Sequence, residues 1–515
     1  MKNSLLSDNS NFLKDVREHS NSNSGNTSMK RFRVSLYELL NTYIDNREVK
    51  ETSFRMSMIS FSKQNYQVNK CTLVSLTLLS ACGTFYKGYN EAVFDTMEEH
   101  MHNLFEGKYD NIHLLLMLVT TILTVGAIFG ALICGMLTNS IGRKNTILLL
   151  DVIAILGTIL TVIENPIIIV IGRFFTGMCL GGFTTVSRLY MVEMSPIQLR
   201  PRCMAFIEIF EMLGVQVGYL LGLGFYSKTI GDSEYWWRIM FGLNFLICGL
   251  HFLITLFFFN FDTPLFTYVK RGDEDETNNV LNRIYKNQSD VQQIFRELKH
   301  VSDDKKEQNK ISYFDLFKNP KYSVRCFVGF IAVAGCVFVG SDALIFYSNT
   351  IFLSYTTSEA STAYTNIIGF AQLLGSFIAV SFVEHLGRRK LFILGYLGLL
   401  LLLLISGTLF LFSITAPIFY IMVAIIVLNV TTVGPVTHLY IAEILPEKGL
   451  ALAYGIYYLA KVILTLTFKP IVNSSLEFFG LFYIYGLSTF LVMLFIIFKI
   501  KETHGKTIVQ LEALY

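Results

Sequence analysis

Stretches of about 20 mostly apolar residues, the length a helix needs to cross the hydrocarbon layer, recur along the chain. They fall near 70–94, 113–138, 146–163, 167–191, 203–226 and 238–260, then after a polar gap near 324–352, 362–383, 391–413, 416–442, 449–471 and 478–499. The pattern predicts an all-α membrane protein with about twelve spans, six and six. The first span is the most polar, since it carries Lys87, Asn90 and Glu91. In a bilayer such groups must be met by neighbouring helices or by a water-filled cavity.

Composition narrows the class. Of 515 residues 52% are hydrophobic and 16% charged, where soluble domains carry about 25% charge; mean hydropathy is +0.49. A soluble enzyme is excluded. A formal net charge of only +3 without a basic soluble face excludes nucleic-acid binding as well. No phosphate-cradling loop and no nucleophile–base arrangement is visible, so neither enzymatic activity nor a cofactor is expected. The Gly177–Gly182 stretch lies inside a span and reads as close helix packing. The eight cysteines sit inside apolar runs as small hydrophobes. His100 and His102 lack further ligands, and no metal site is expected.

Basic residues set the orientation. Arg143 and Lys144 follow the second run and Arg388, Arg389 and Lys390 the eighth, whereas Asp95, Glu98, Glu99, Glu106 and Asp110 follow the first. Both termini are then cytoplasmic, in a protein expected at the plasma membrane. Residues 1–66 form a tail without an apolar run, expected to be disordered apart from an amphipathic helix around Arg31–Ile44; its partner is unknown. The expected domains are that tail, a bundle over 67–261, a linker of short helices over 262–323, a second bundle over 324–499 and a tail over 500–515. The bilayer and a small solute are the expected partners.

Landmarks repeat between the halves. Asn139-Ser140-Ile141-Gly142-Arg143-Lys144 matches Glu384-His385-Leu386-Gly387-Arg388-Arg389, 245 residues on. Glu193-Met194-Ser195-Pro196 matches Glu443-Ile444-Leu445-Pro446, 250 residues on. A glycine turn that presents arginines beside a helix-ending carboxylate can be stapled by Arg–carboxylate pairs. The expected staples are Asn139, Arg143, Glu193 and Arg200 in the first half and Glu384, Arg388, Arg389 and Glu443 in the second.

At this point the chain resembles the sugar porters of the major facilitator superfamily, from about Lys70 to the C-terminus. The matching residues include Gly88-Tyr89-Asn90, Gly172-Arg173-Phe174, Tyr190…Glu193…Pro196…Arg200, Trp237-Arg238, Asp262-Thr263-Pro264, Phe346-Tyr347-Ser348, Gly434-Pro435 and Glu502-Thr503-His504-Gly505. The resemblance implies two pseudo-symmetric six-helix bundles, a midplane site and alternating access. It also implies where sugar ligands belong, and there the chain departs. Glu208 stands at the fifth-span Gln, Asp342 at the seventh-span Asn, Gln372 at the eighth-span Asn, His438 at the tenth-span Trp and Lys461 at the eleventh-span Asn. Arg188 replaces a Pro among the gate residues, and Leu450 replaces a loop Arg, so the staple at Glu443 relies on Arg388 or Arg389.

The expected solute-binding set is therefore Glu208, Asp342, Gln372, His438, Lys461 and Asn90. Proton-coupled relatives carry Asp where Asn90 stands, near the match to Arg173. An Asn takes up no proton, which favours facilitated diffusion. Lys87 and Glu91, at i,i+4 spacing, read as a local pair and, with Arg173, as coupling candidates. The leading function is a carrier of a sugar or polyol-like solute. A carrier of small organic ions or a proton symporter is the second reading, and a non-transporting sensor or structural membrane subunit the third.

Overall fold

The computed structural model describes residues 66–106, 108, 112–196, 199–226, 235–308, 313–385, 387–414 and 416–503. Residues 1–65 of the expected 1–66 tail, with its helix around 31–44, and residues 504–515 lie outside the described residues.

Six long helices come first: α1 Lys70–Phe105, α2 Ile112–Ile141, α3 Arg143–Thr161, α4 Pro166–Met194, α5 Arg200–Gly222 and α6 Trp236–Phe258. The polar gap holds, after the short helical pieces Pro264–Phe266 and Thr267–Arg271, the helices α7 Glu274–Ile284, α8 Gln288–Gln308 and α9 Tyr313–Lys318. Then follow α10 Pro320–Phe338, α11 Ser341–Leu353, α12 Ser358–His385, α13 Arg388–Leu411, α14 Ile418–Leu428, α15 Gly434–Ile444, α16 Glu447–Val472 and α17 Glu477–Lys499. Among the described residues eleven spans are long and apolar enough to cross a membrane, α10 with α11 and α14 with α15 each making one. The twelfth is α1, whose 36 residues make a rod of about 54 Å. Its buried Lys87, Glu91 and Asp95 keep it from reading as apolar. The acids Asp95, Glu98 and Glu99, taken from the sequence as part of a connecting loop, belong to this helix.

Two spans are broken where the chain needs it. Gly340, at φ 86°, separates α10 from α11, and Tyr347 inside α11 leaves helical geometry at φ −137°, ψ 20°. Between α14 and α15 runs a wider turn, Asn429–Val433. It precedes Pro435, which has no N–H to give an ordinary helical ladder.

Within the first half α2 lies against α4 and α1 against α5. A Cβ on Gly177 or Gly181 would strike the Leu123 or Ala127 carbonyl of α2, so the glycine-rich stretch does serve close helix approach. The halves meet where α2 packs on α16, α5 on α12 and α1 on α11. Large apolar side chains such as Leu156, Phe257 and Phe498 face outward, as lipid contact requires. Charged side chains deep in the spans, such as Lys87, Arg188 and Lys461, are buried.

Candidate functional site

Seven charged side chains from α1, α4, α5, α11 and α16 meet in the interior. Lys87 and Glu91, one turn apart, share a face of α1, and Glu208 and Glu211 share a face of α5. Lys87 pairs with Glu211. Arg188 of α4 donates to Glu208 at 3.0 Å and to Glu211 at 3.2 Å. Lys461 of α16 reaches Glu91 at 3.0 Å and Asp342 at 3.2 Å. The Tyr457 ring stands between the two lysines, 5.8 Å from the Lys87 ammonium and 4.8 Å from that of Lys461, close enough for cation–π attraction.

Several expectations are corrected here. Lys87 and Glu91 do not pair with each other: α1 turns their shared face to two different neighbours, and each finds a partner there. Arg188, read as a change at a gate, lies at the centre of this network. Asn90, expected to bind solute, has both amide atoms engaged by the protein. It is fully buried and exchanges two hydrogen bonds with Asn244 of α6, at 2.8 and 3.1 Å. Arg173 donates to the Asn90 backbone carbonyl, not to its amide, with both nitrogens at 3.2 Å. Asn244 gave no signal in the sequence beyond being polar within a span.

Glu208, Arg188 and His438 line one small cavity together with Ser376 and Pro435, of about 30 Å³. One water needs roughly 10–15 Å³, so the cavity is closed to a hexose in this state. His438 packs on Tyr454 and Tyr457 and its Nδ1 has no partner. Gln372 is wholly buried with neither amide atom bonded. Buried polar groups are nearly always satisfied, and such an amide is suited to a hydroxyl, which both donates and accepts. Gln216, whose Oε1 is also unpartnered, was not singled out in the sequence.

At the basic end the staples form. Arg143 meets Glu193 at 2.6 Å and Arg388 meets Glu443 at 3.0 Å. The backbone N–H of Arg143 donates to Asp262, and those of Arg388 and Arg389 donate to Glu502. This is a third repeated landmark, 240 residues apart. Arg389 turns its guanidinium to the Ile497 carbonyl and takes no part in the Glu443 staple. Asn139 is not a staple either, because its amide donates to Gly135 on its own helix. Arg200 is half-buried, and its charge acts on both Glu193 and Glu443, one from each half. The Glu384 side chain lies outside the described residues.

At the opposite end α1 is tied to the second half. Asp95 accepts from the Ser348 hydroxyl at 2.8 Å and the Asn349 N–H at 3.1 Å. Glu98 pairs with Lys469, and Ser358 donates to Glu99 at 2.5 Å. Asp95, Glu98, Glu99 and Asn349 border a second cavity of about 210 Å³. Among the described residues no cluster suited to a metal ion occurs.

The family model described as "Sugar (and other) transporter" matches residues 76–515. The glucose transporter GlcP of Staphylococcus epidermidis is 28% identical over 77% of this chain and 87% of its own. Solute carrier family 2, facilitated glucose transporter member 5 of Rattus norvegicus is 26% identical over 87% of this chain and 93% of its own. Among solved structures, the proton:xylose symporter XylE bound to 6-bromo-6-deoxy-D-glucose matches with a TM-score of 0.77 at 21% identity, over 87% of this chain and 100% of that one. The inward open conformation of XylE from E. coli gives 0.69. These structures share the major facilitator fold of two six-helix bundles. The chain is thus an integral, multi-pass membrane protein that belongs to the sugar (and other) transporter family.

Proposed function

We propose that this carrier moves a sugar or polyol-like solute by alternating access. The observation that carries the reading is Gln372, a fully buried amide in the second bundle with no protein partner for either atom. The names of the relatives as glucose transporters support the solute class. Asn90, locked to Asn244, has no proton to exchange, which supports passive passage with respect to that position. Arginines at the stapled end support cytoplasmic termini, with the plasma membrane as the proposed location.

The test is counterflow of labelled D-glucose, D-fructose, D-xylose and myo-inositol into proteoliposomes holding the purified full chain. Saturable exchange of at least one is expected, with Gln372→Ala raising the half-saturating concentration roughly tenfold, the worth of about 1.4 kcal/mol of hydrogen bonding. Absence of exchange for all four removes the sugar reading.

A further inference from the structure

The charges of the interior do not cancel. Lys87 and Arg188 face Glu208 and Glu211, two against two, whereas Lys461 alone faces Glu91 and Asp342. One negative charge is left over at Lys461. The other groups acting on it and on Asp342 are Lys87 of α1, already matched by Glu211, and the phenols Tyr457 and Tyr458 of α16. Cys336 of α10 also lies within reach of Asp342. Arg173 is turned elsewhere, bonded to the Asn90 carbonyl between the rings of Phe94 and Phe241.

Exposure differs between the two signs. The side chains of Lys87, Lys461 and Arg188 are 0, 1 and 3% exposed, while Asp342 and Glu208 are each 12% exposed. Asp342 and Glu208 are thus the least covered charges of the cluster, Glu208 beside the cavity that Arg188 also lines. An uncompensated charge away from bulk water strongly favours a counter-charge. A neutral sugar supplies none.

Resting on the sugar-carrier reading, we propose that the preferred solute is a sugar bearing one positive charge, a protonated amino sugar, whose ammonium is received by Asp342 and Glu208. Its three N–H donors suit carboxylate acceptors. Gln372 and the free Nδ1 of His438 remain for its hydroxyls.

Competition against labelled D-glucose counterflow tests this, with D-glucosamine and the uncharged N-acetyl-D-glucosamine as competitors. D-glucosamine is expected to compete at least about tenfold better than either N-acetyl-D-glucosamine or unlabelled D-glucose, and Asp342→Asn is expected to bring the three together. Equal competition in the unaltered protein overturns the proposal and leaves a sugar carrier. Uptake of D-glucose driven by an inward proton gradient, with protons moving alongside, also overturns it, because a proton then meets the extra charge. If no sugar exchanges, the carrier reading falls separately. The rise in unfolding midpoint caused by bound D-glucosamine but not by D-glucose then reads binding without passage, and its absence overturns the charge inference too. Should Asp342→Asn not fold, Glu208→Gln carries the same expectation.

Discussion

Arg188 holds two carboxylates with one guanidinium, and its removal leaves Glu208 without a cation and Glu211 with Lys87 alone. Breaking a buried pair at one partner costs about 3–5 kcal/mol. Arg188→Met is expected to lower the thermal unfolding midpoint in detergent strongly, and Arg188→Met with Glu208→Gln to lower it clearly less. A midpoint unmoved by the single change would mean the guanidinium is not bonded as described. The Asn90–Asn244 pair belongs to a milder class. A cycle of the two alanine variants is expected to give a coupling of about 0.6 kcal/mol, and under 2, as for other hydrogen bonds between membrane helices. Residue identity alone disclosed the cost of Glu208, Asp342 and Lys461 inside a span, because charge there demands a reason. It did not disclose partners. Lys87 and Glu91 look like a local pair from their spacing, yet each of them meets a stronger partner on a neighbouring helix, and only the packing of α1 against α5 and α16 decides that.

Elements were legible where hydropathy is strong and hidden where charge lies inside the bundle. The extension of α1 to Phe105 reads as an acidic loop in the sequence, since hydropathy cannot tell an acid buried against another helix from one in water. The glycine turns ahead of α3 and α13 were legible as a repeat, and the structure supplies their cause. Gly142 has φ 92°, ψ 168° and Gly387 has φ 80°, ψ 155°, a region nearly closed to other residues. Alanine at Gly387 is expected to lose about 1–3 kcal/mol, read as a lowered unfolding midpoint, its Cβ lying 2.9 Å from a Glu502 oxygen. Asp262 plays the part of Glu502 in the first half. Burial pushes its carboxyl above the ordinary value, against the pull of the Thr263 and Arg143 N–H groups. A carboxyl so raised binds its proton more firmly folded than unfolded. Its contribution is therefore full at low pH and lost as pH rises through the folded value. Thermal midpoints measured from about pH 4 to 8 should show that decline in the unaltered protein and not in Asp262→Asn, which keeps an acceptor oxygen but no titration.

At one end of the molecule α1 is tied to the second half by contacts that a carrier must part when that end opens. At the basic end the staples lie within each half, and the Arg200 charge acts on a carboxylate of both. Asp95 grips Ser348 and the Asn349 N–H just beyond the kink at Tyr347, whose ring stacks on Phe468 of α16 at 4.2 Å. A helix already broken at Tyr347 can swing its outer part without unmaking the rest of α11, so the Asp95 contact is the natural one to part when that end opens. Covalent closure should then stop transport. With exposed Cys71 first changed to serine, the pair Asp95→Cys and Ser348→Cys is expected to support sugar counterflow when reduced, to lose it on oxidation and to regain it with reductant. Each single cysteine should be indifferent to oxidant. Counterflow that continues in the oxidised, cross-linked pair would mean that α1 and α11 stay together throughout the cycle, and that the solute leaves by movement of α2 against α16 and α5 against α12 alone.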